Sequence, residues 1–447
     1  MALADGVVVA AGAEVGALAA AVVGAVVAAA GAVVGLETAV GAAVAAGAGA
    51  EVGGAVGATA VGVLHAASNA EAIGITRPIW RRSARRAICT SLSYSPAMRL
   101  VARIGGLVFV AVAVAAAVVA GWHPARVAVQ ALLLLPALFP SAPIDPLAQV
   151  TPAPIEDRAT YDYSAGTIDT QTFSPADAGK HSAVILLLGA GDLPQSDLAV
   201  HFAQALARLG VVTAIPESSG MLSEHLTFDE VDAIRVSVQE VDKRPEVDPA
   251  RVGLVGLSAS GGLSIVAAAQ PDLRDEVRFV NSFGSYDDAI SLLVDVTSHS
   301  IVVDGATREW TPEQRTVEVI SNALIDAGAS DADRAELLAG TTRGRATQIV
   351  ENFPSDVRAR LEAVSPSSVL ETLHAHLYLM HDVDDPFVPF TESRELVQQA
   401  PAGVVVRYTE FSIFEHVIPD RPVPWETFLP DLWRLFWHVH AVLLELL

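Results

Sequence analysis

A hydrophobic run at residues 252–255 enters Gly256-Leu257-Ser258-Ala259-Ser260-Gly261-Gly262, and an alanine-rich stretch at 263–269 leaves it. Small residues on both sides of a serine, between a strand pattern and a helix pattern, leave few backbone solutions. The one that suits them is a sharp strand-to-helix turn that strains the serine backbone and stands its hydroxyl clear of the sheet. Gly256 keeps a side chain out of the tight approach, and Gly261 and Gly262 let the helix lie close. Alanine- and glycine-rich chains produce G-x-S-x-small by chance, so the neighbouring segments decide what it means.

Those segments alternate in kind. Residues 183–188 are a continuous apolar run ending at Gly189-Ala190-Gly191. Residues 201–209 read as a helix stopped by Gly210, and 211–216 as another buried strand. Thr227-Phe228-Asp229-Glu230 is a capping box opening a helix through Val231, Ile234, Val238 and Val241. Asp248-Pro249 then predicts a turn before the 252–255 strand. Strands and helices at this spacing predict an α/β fold, a mostly parallel sheet covered by helices on both faces. Catalytic groups in such sheets gather at the carboxyl ends of the strands, where Ser258 and Gly189-Ala190-Gly191 fall.

Residues 376–380 form a strand pattern leading into His381-Asp382-Val383-Asp384-Asp385-Pro386-Phe387-Val388-Pro389. Residues 404–408 form one more, followed by Phe411-Ser412-Ile413-Phe414-Glu415-His416. With these motifs the region from about 150 to 447 resembles the α/β-hydrolase family, especially its dienelactone-hydrolase-like and serine-peptidase-like bacterial members. The resemblance implies Asp385 as the acid of a catalytic triad and His416 as its histidine, in the family order Ser258, Asp385, His416. Asp384 is the competing acid, but the spacing to Val388-Pro389 favours Asp385.

In such a triad His416 takes the proton of Ser258 and returns it to the leaving group. Asp385 holds the imidazole tautomer. Oxyanion donors are expected from the amides of Ala259 and Ala190. The sequence departs from the family pattern at Ser260, where glycine is usual, and at Leu188-Gly189, where His-Gly is frequent. It departs again at Asp382, which replaces a glycine and builds an acidic cluster with Asp384 and Asp385. Repulsion in that cluster is expected to shift its protonation. No His/Cys set has metal spacing around it, so neither metal nor other cofactor is expected. His374, His376, His381, His438 and His440 read as structural, core or interface residues.

Residues 288–365 are too long for a simple connection and predict a helical insertion. Thr311-Pro312-Glu313-Gln314 is expected to cap a helix ended by Gly328, Ser330 to start a second stopped by Gly340, and Ser355 a third. By the resemblance this insertion is a lid that shapes the pocket and controls access.

The first 75 residues are an alanine-, valine- and glycine-rich segment in which Ala-Gly-Ala-Glu-Val-Gly occurs at 11–16 and 48–53. Within it, the 21 uncharged residues 16–36 are long enough to span a bilayer but only marginally apolar. Residues 76–103 are basic, carrying Arg77, Arg81, Arg82, Arg85, Arg86, Arg99 and Arg103. Residues 104–140 are expected to be the membrane-anchoring region. Its first part, 104–122, is uncharged and would rise roughly 28 Å as a helix, with Trp122 at one end. Its second part, 127–139, is broken by Pro136 and reads as re-entrant, interfacial or the return arm of a hairpin. A stiff Pro140, Pro143, Pro146, Pro152, Pro154 linker follows, and the catalytic domain runs from 141 to 447. The net charge of −23 speaks against nucleic acid as a partner, leaving a small acyl substrate and the bilayer. Lone Cys89 allows no internal disulfide and lies outside the catalytic region. The expected protein is a membrane-anchored serine hydrolase. An acyltransferase, a non-catalytic binding protein on the same fold and a membrane scaffold are the alternatives.

Overall fold

The computed structural model describes Val119 and residues 121–447, apart from 140, 141, 143, 192–195 and 420. The expected segments at 1–75 and 76–103, most of 104–122, and Cys89 lie outside the described residues. Among the described residues, no helix is long and apolar enough to cross a membrane.

Residues Pro124–Leu447 form one compact unit. The described elements run from α1 (His123–Leu134) through a 3-10 turn (Leu135–Leu138) to the short α2 (Pro146–Val150), capped by Asp145. The hairpin of β1 (Ile155–Tyr163) and β2 (Gly166–Ser174) follows. Then come β3 (His181–Leu187), α3 (Ser196–Arg208), β4 (Val211–Ser218), α4 (Ser219–Leu222) and α5 (Phe228–Asp242). The centre is β5 (Val247–Leu257), α6 (Ala259–Ala268) and β6 (Val277–Phe283). An insertion of α7 (Ala289–Ser298), the hairpin β7 (Ser300–Val303) and β8 (Ala306–Glu309), α8 (Gln314–Ala327), α9 (Asp331–Leu338), α10 (Arg343–Glu351) and α11 (Ser355–Ala363) interrupts the alternation. It resumes with β9 (His376–Asp382), α12 (Phe390–Gln399), β10 (Val405–Phe411) and α13 (Trp425–Leu446).

Eight strands form one sheet in the order β1-β2-β4-β3-β5-β6-β9-β10. The first two pairings are antiparallel and the remaining five parallel, as the strand-helix alternation predicts. The two-residue period of a strand divides the core between two faces. On β3, Ala183, Ile185 and Leu187 join the cluster under α5, α6 and α12. Val184 and Leu186 face the other way, toward Phe202 of α3 and Leu435 and His438 of α13.

Several local expectations change. Asp248-Pro249 lies within β5, where the ladder to β3 shifts register between Val247 and Val252, so the proline sits at an irregularity rather than in a separate turn. Thr227 caps α5, but Glu230 does not close the box. Its carboxylate instead accepts hydrogen bonds from Ser218 and from the Tyr163 hydroxyl (2.9 Å). Helix α8 begins at Gln314, two residues later than the Thr311-Pro312 cap implies, with Glu313 at the cap position and its amide donating to Pro386 O at 2.8 Å. Gly328 and Gly340, both with positive φ, follow α8 and α9 as predicted. The stretch 127–139, expected at the membrane, is α1 and the 3-10 turn. Its Leu135 joins Phe283, Met380, Phe411, Phe414 and Leu435 in an apolar cluster. Pro136 is accommodated at the start of the 3-10 turn.

Candidate active site

Ser258 stands between β5 and α6 with φ 57° and ψ −131°, a region that costs an L-residue about 1–3 kcal/mol. Its amide donates to Phe283 O at 2.8 Å, locking the turn to the end of β6. Gly256 is required by contact: a Cβ there would lie 2.6 Å from Ser260 O and 2.7 Å from Gly261 Cα. A Cβ at Gly189 would lie 2.9 Å from Ser258 Cβ, so the loop after β3 closes directly over the Ser258 turn. Ser260, at the position usually glycine, donates to Leu188 O. One departure from the family pattern thus compensates for the other, since the serine ties down the loop that lacks an ordering histidine.

Asp385 and His416 come together from the loops after β9 and β10. Oδ2 of Asp385 lies 2.6 Å from Nδ1 of His416, and Oδ1 accepts the amides of Phe387 (2.7 Å) and Val388 (3.1 Å). Burial pushes the Asp385 carboxyl up, but the charge of His416 and the hydrogen bonds from His381 and His416 outweigh it. The result is a carboxyl held well below the usual carboxylate range. The His416 backbone has φ 61°, Phe387 stacks on the ring at 4.9 Å between centroids, and Gly284 lies against it. Nε2 of His416 is buried without a hydrogen-bond partner, so Ser258 and His416 are not directly bonded in this structure. Both line one cavity of about 300 Å³ together with Ala259, Ala190 and Gly189. Ala259 is the first residue of α6, where an amide has no acceptor within the helix.

Asp384 is turned away from His416 and pairs with Arg421 at 2.7 Å. Asp382 has a different task. It is fully buried, accepting the Asp384 amide (3.0 Å) on Oδ1 and the Phe414 amide (2.8 Å) on Oδ2. It therefore clamps the acid loop to the loop that carries His416. Its carboxyl is pushed up to about 6, chiefly by burial, with Asp384 repulsion a lesser cause. His381 is buried too, bridging Ser393 Oγ (2.7 Å) and Val388 O (2.9 Å), with Nε2 3.4 Å from Asp385 Oδ2. The histidine read as structural thus packs against and supports the Asp385 carboxylate.

The insertion takes part as well. Trp310 Nε1 donates to Asp385 O at 3.0 Å and Thr316 Oγ1 to Phe387 O at 3.1 Å. Arg315 donates to Ala190 O at 2.9 Å and pairs with Glu224 at 3.3 Å. Sequence reasoning missed these residues, and no local signal marks them, because their partners lie 71 to 125 positions away. Among the described residues, no group of His, Cys, Asp and Glu is placed to hold a metal ion.

No protein-family model matches this sequence, and no curated protein matches it. Solved structures resemble the fold at low identity. An acylaminoacyl peptidase in complex with Z-Gly-Gly-Phe-chloromethyl ketone aligns with TM-score 0.43 at 14% identity, covering 66% of this chain and 41% of its own. The 2,6-dihydroxy-pseudo-oxynicotine hydrolase aligns with TM-score 0.42 at 16% identity, covering 71% and 80%. Est1E from Butyrivibrio proteoclasticus aligns with TM-score 0.41 at 14% identity, covering 64% and 98%. This chain therefore spans less than half the length of the peptidase. At such likeness the geometry of Ser258, Asp385 and His416 carries the functional reading.

Proposed function

We propose that this chain is a serine hydrolase of the α/β-hydrolase fold that cleaves an ester, thioester or small amide through an acyl-enzyme. The observation that carries the reading is the state of His416. Its Nδ1 is fixed by Asp385, while its Nε2 is a buried nitrogen with no partner, lining the cavity that holds the strained Ser258. A buried polar atom left unpaired costs free energy, and a proton to be collected from a nucleophile accounts for it.

Ser258 Oγ attacks the substrate carbonyl while Nε2 of His416 takes its proton. The imidazolium so formed is stabilised by ionised Asp385. The amides of Ala259 and Ala190 are assigned to the oxyanion, each worth about 10²–10³ in turnover. His416 then returns the proton to the leaving group, and water repeats the sequence to release the acid. Residues 104–122, a long uncharged run following a basic stretch, are assigned as a membrane tether for this domain. The missing Ser258–His416 bond favours a second reading, a non-catalytic binding protein on the same fold.

Labelling with a fluorophosphonate probe decides between them. Wild type is expected to label at Ser258, and Ser258→Ala to keep its circular dichroism and lose the label. His416→Ala is expected to lose ester hydrolysis. A folded wild type that takes no label refutes the catalytic assignment and leaves the binding reading.

A further inference from the structure

A second cavity, of about 400 Å³, lies beside the catalytic one. It is walled by α7, α8, α11 and the start of α5, and Leu226, Tyr286, Leu292 and Ile320 line both cavities. Those four side chains are the partition between Ser258 and the second space. Together the two volumes fall in the range of small-molecule sites.

The chemistry of its wall is one-sided. Five polar side chains face it, and each already has a partner in the protein. Tyr286 donates its hydroxyl to Val364 O at 2.7 Å, and Arg360 donates to Ala327 O at 2.8 Å. Asp326 is engaged by His225 at 2.8 Å. Thr227 accepts the Asp229 amide at 3.3 Å, and Asp229 accepts the Ser164 hydroxyl at 3.3 Å. Among the described residues, no buried side-chain atom lacking a partner lines this cavity. The catalytic cavity has one, Nε2 of His416. The other twelve lining residues are apolar, and the charged Asp229 and Arg360 are solvent-exposed, so an occupant meets mainly hydrocarbon surface, which suits an apolar chain and disfavours a polar group.

We propose that this cavity is an acyl-chain site. The substrate carries a straight hydrocarbon acyl group whose carbonyl sits at Ser258 and whose tail passes Leu226 and Ile320 into the space beneath α8 and α11. The lid face is also fastened on both sides of this space. Arg315 near the start of α8 holds Ala190 O and Glu224, and Asp326 near its end holds His225, so the chamber is defined before a chain enters. The inference rests on the hydrolase reading above and names its substrate class.

The test is a series of p-nitrophenyl esters from two to ten carbons, with fluorophosphonate labelling run alongside on the full chain. Wild-type kcat/KM is expected to rise about fourfold per added methylene once the chain passes the partition, the increment for burying a CH₂. Ala323, which lines only the second cavity, is replaced in Ala323→Trp to fill it; Ala363→Phe fills it from α11 should the first variant not fold. Either is expected to lower the ratio of ten-carbon to two-carbon kcat/KM by at least about 30-fold. A wild-type profile that stays flat or falls beyond four carbons overturns the acyl-chain site. So does a ratio left unchanged by a folded filling variant. In both cases probe labelling and two-carbon hydrolysis leave the hydrolase reading standing. A wild type that neither labels nor cleaves any ester overturns both.

Discussion

Gly284→Ala tests whether His416 is held where the chemistry needs it. Gly284 follows β6 with φ 66°, and its amide donates to Met380 O at 2.9 Å. An added Cβ would lie 2.9 Å from Cε1 and 3.0 Å from Nδ1 of His416, and 3.2 Å from Val417 Cγ1. The first of these is shorter than a methyl group tolerates, so the ring must yield by a few tenths of an ångström. Positive φ adds about 1–2 kcal/mol of strain for an L-residue. The ring cannot yield cheaply, because its Nδ1 is 2.6 Å from Asp385 and Phe387 stacks on it. We expect Tm to drop by roughly 2–8 °C for that strain in a domain of this size. We also expect kcat on p-nitrophenyl acetate to fall about 10²-fold, since small misplacements of a catalytic group cost that much. KM should move little, because Gly284 is not among the residues lining the substrate cavity. A lowered Tm with kcat within threefold of wild type would refute the reasoning, showing that the position of the His416 ring does not limit the reaction.

Other expectations are as specific. Ser260→Ala leaves Leu188 O without its donor, at a stability cost of about 1–2 kcal/mol. It should lower kcat roughly tenfold with KM unchanged, because the loop carrying Ala190 loosens; a KM effect alone would contradict this. Asp287 is fully buried with Oδ1 unpartnered, and burial, then the charges of Asp288 and Glu395, push its carboxyl from 3.8 up to about 7. A carboxyl raised in the fold contributes stability that is complete below about pH 4 and is lost as pH rises through 7. Asp287→Asn should therefore exceed wild type in stability at pH 8 by on the order of 2 kcal/mol and lose that advantage at pH 4. Urea unfolding at the two pH values measures the difference, and an equal gap at both would disprove the linkage.

The sheet, the strained Ser258 turn and the loops carrying Asp385 and His416 are legible because each is written in local pattern. Apolar runs of strand length, glycines at forced contacts and a fixed loop spacing need no distant partner to be read. What cannot be read are roles that depend on where other segments end up. Glu230 looks like the closing half of a capping box, yet Ser218 and Tyr163 compete for it across the sheet. Asp382 looks like a source of repulsion, and its burial between two loop amides makes it a clamp. Residues 127–139 are as apolar as an interfacial segment, and hydrophobicity alone does not say whether lipid or Phe283 and Leu435 will cover them.

Four residues at the root of the insertion, Trp310, Glu313, Arg315 and Thr316, hold the backbone of both the acid loop and the loop bearing Ala190. The insertion is therefore not an exchangeable module from its first residue. Transplanting a foreign insertion at the end of β6 would remove the hydrogen bonds that hold the Asp385 and Ala190 loops. A graft that keeps residues 310–316 and replaces only the rest of α8 with α9, α10 and α11 would leave those bonds in place. Lineages that diversify the substrates of such a chain would be expected to vary α9, α10 and α11 while leaving the first turn of α8 alone.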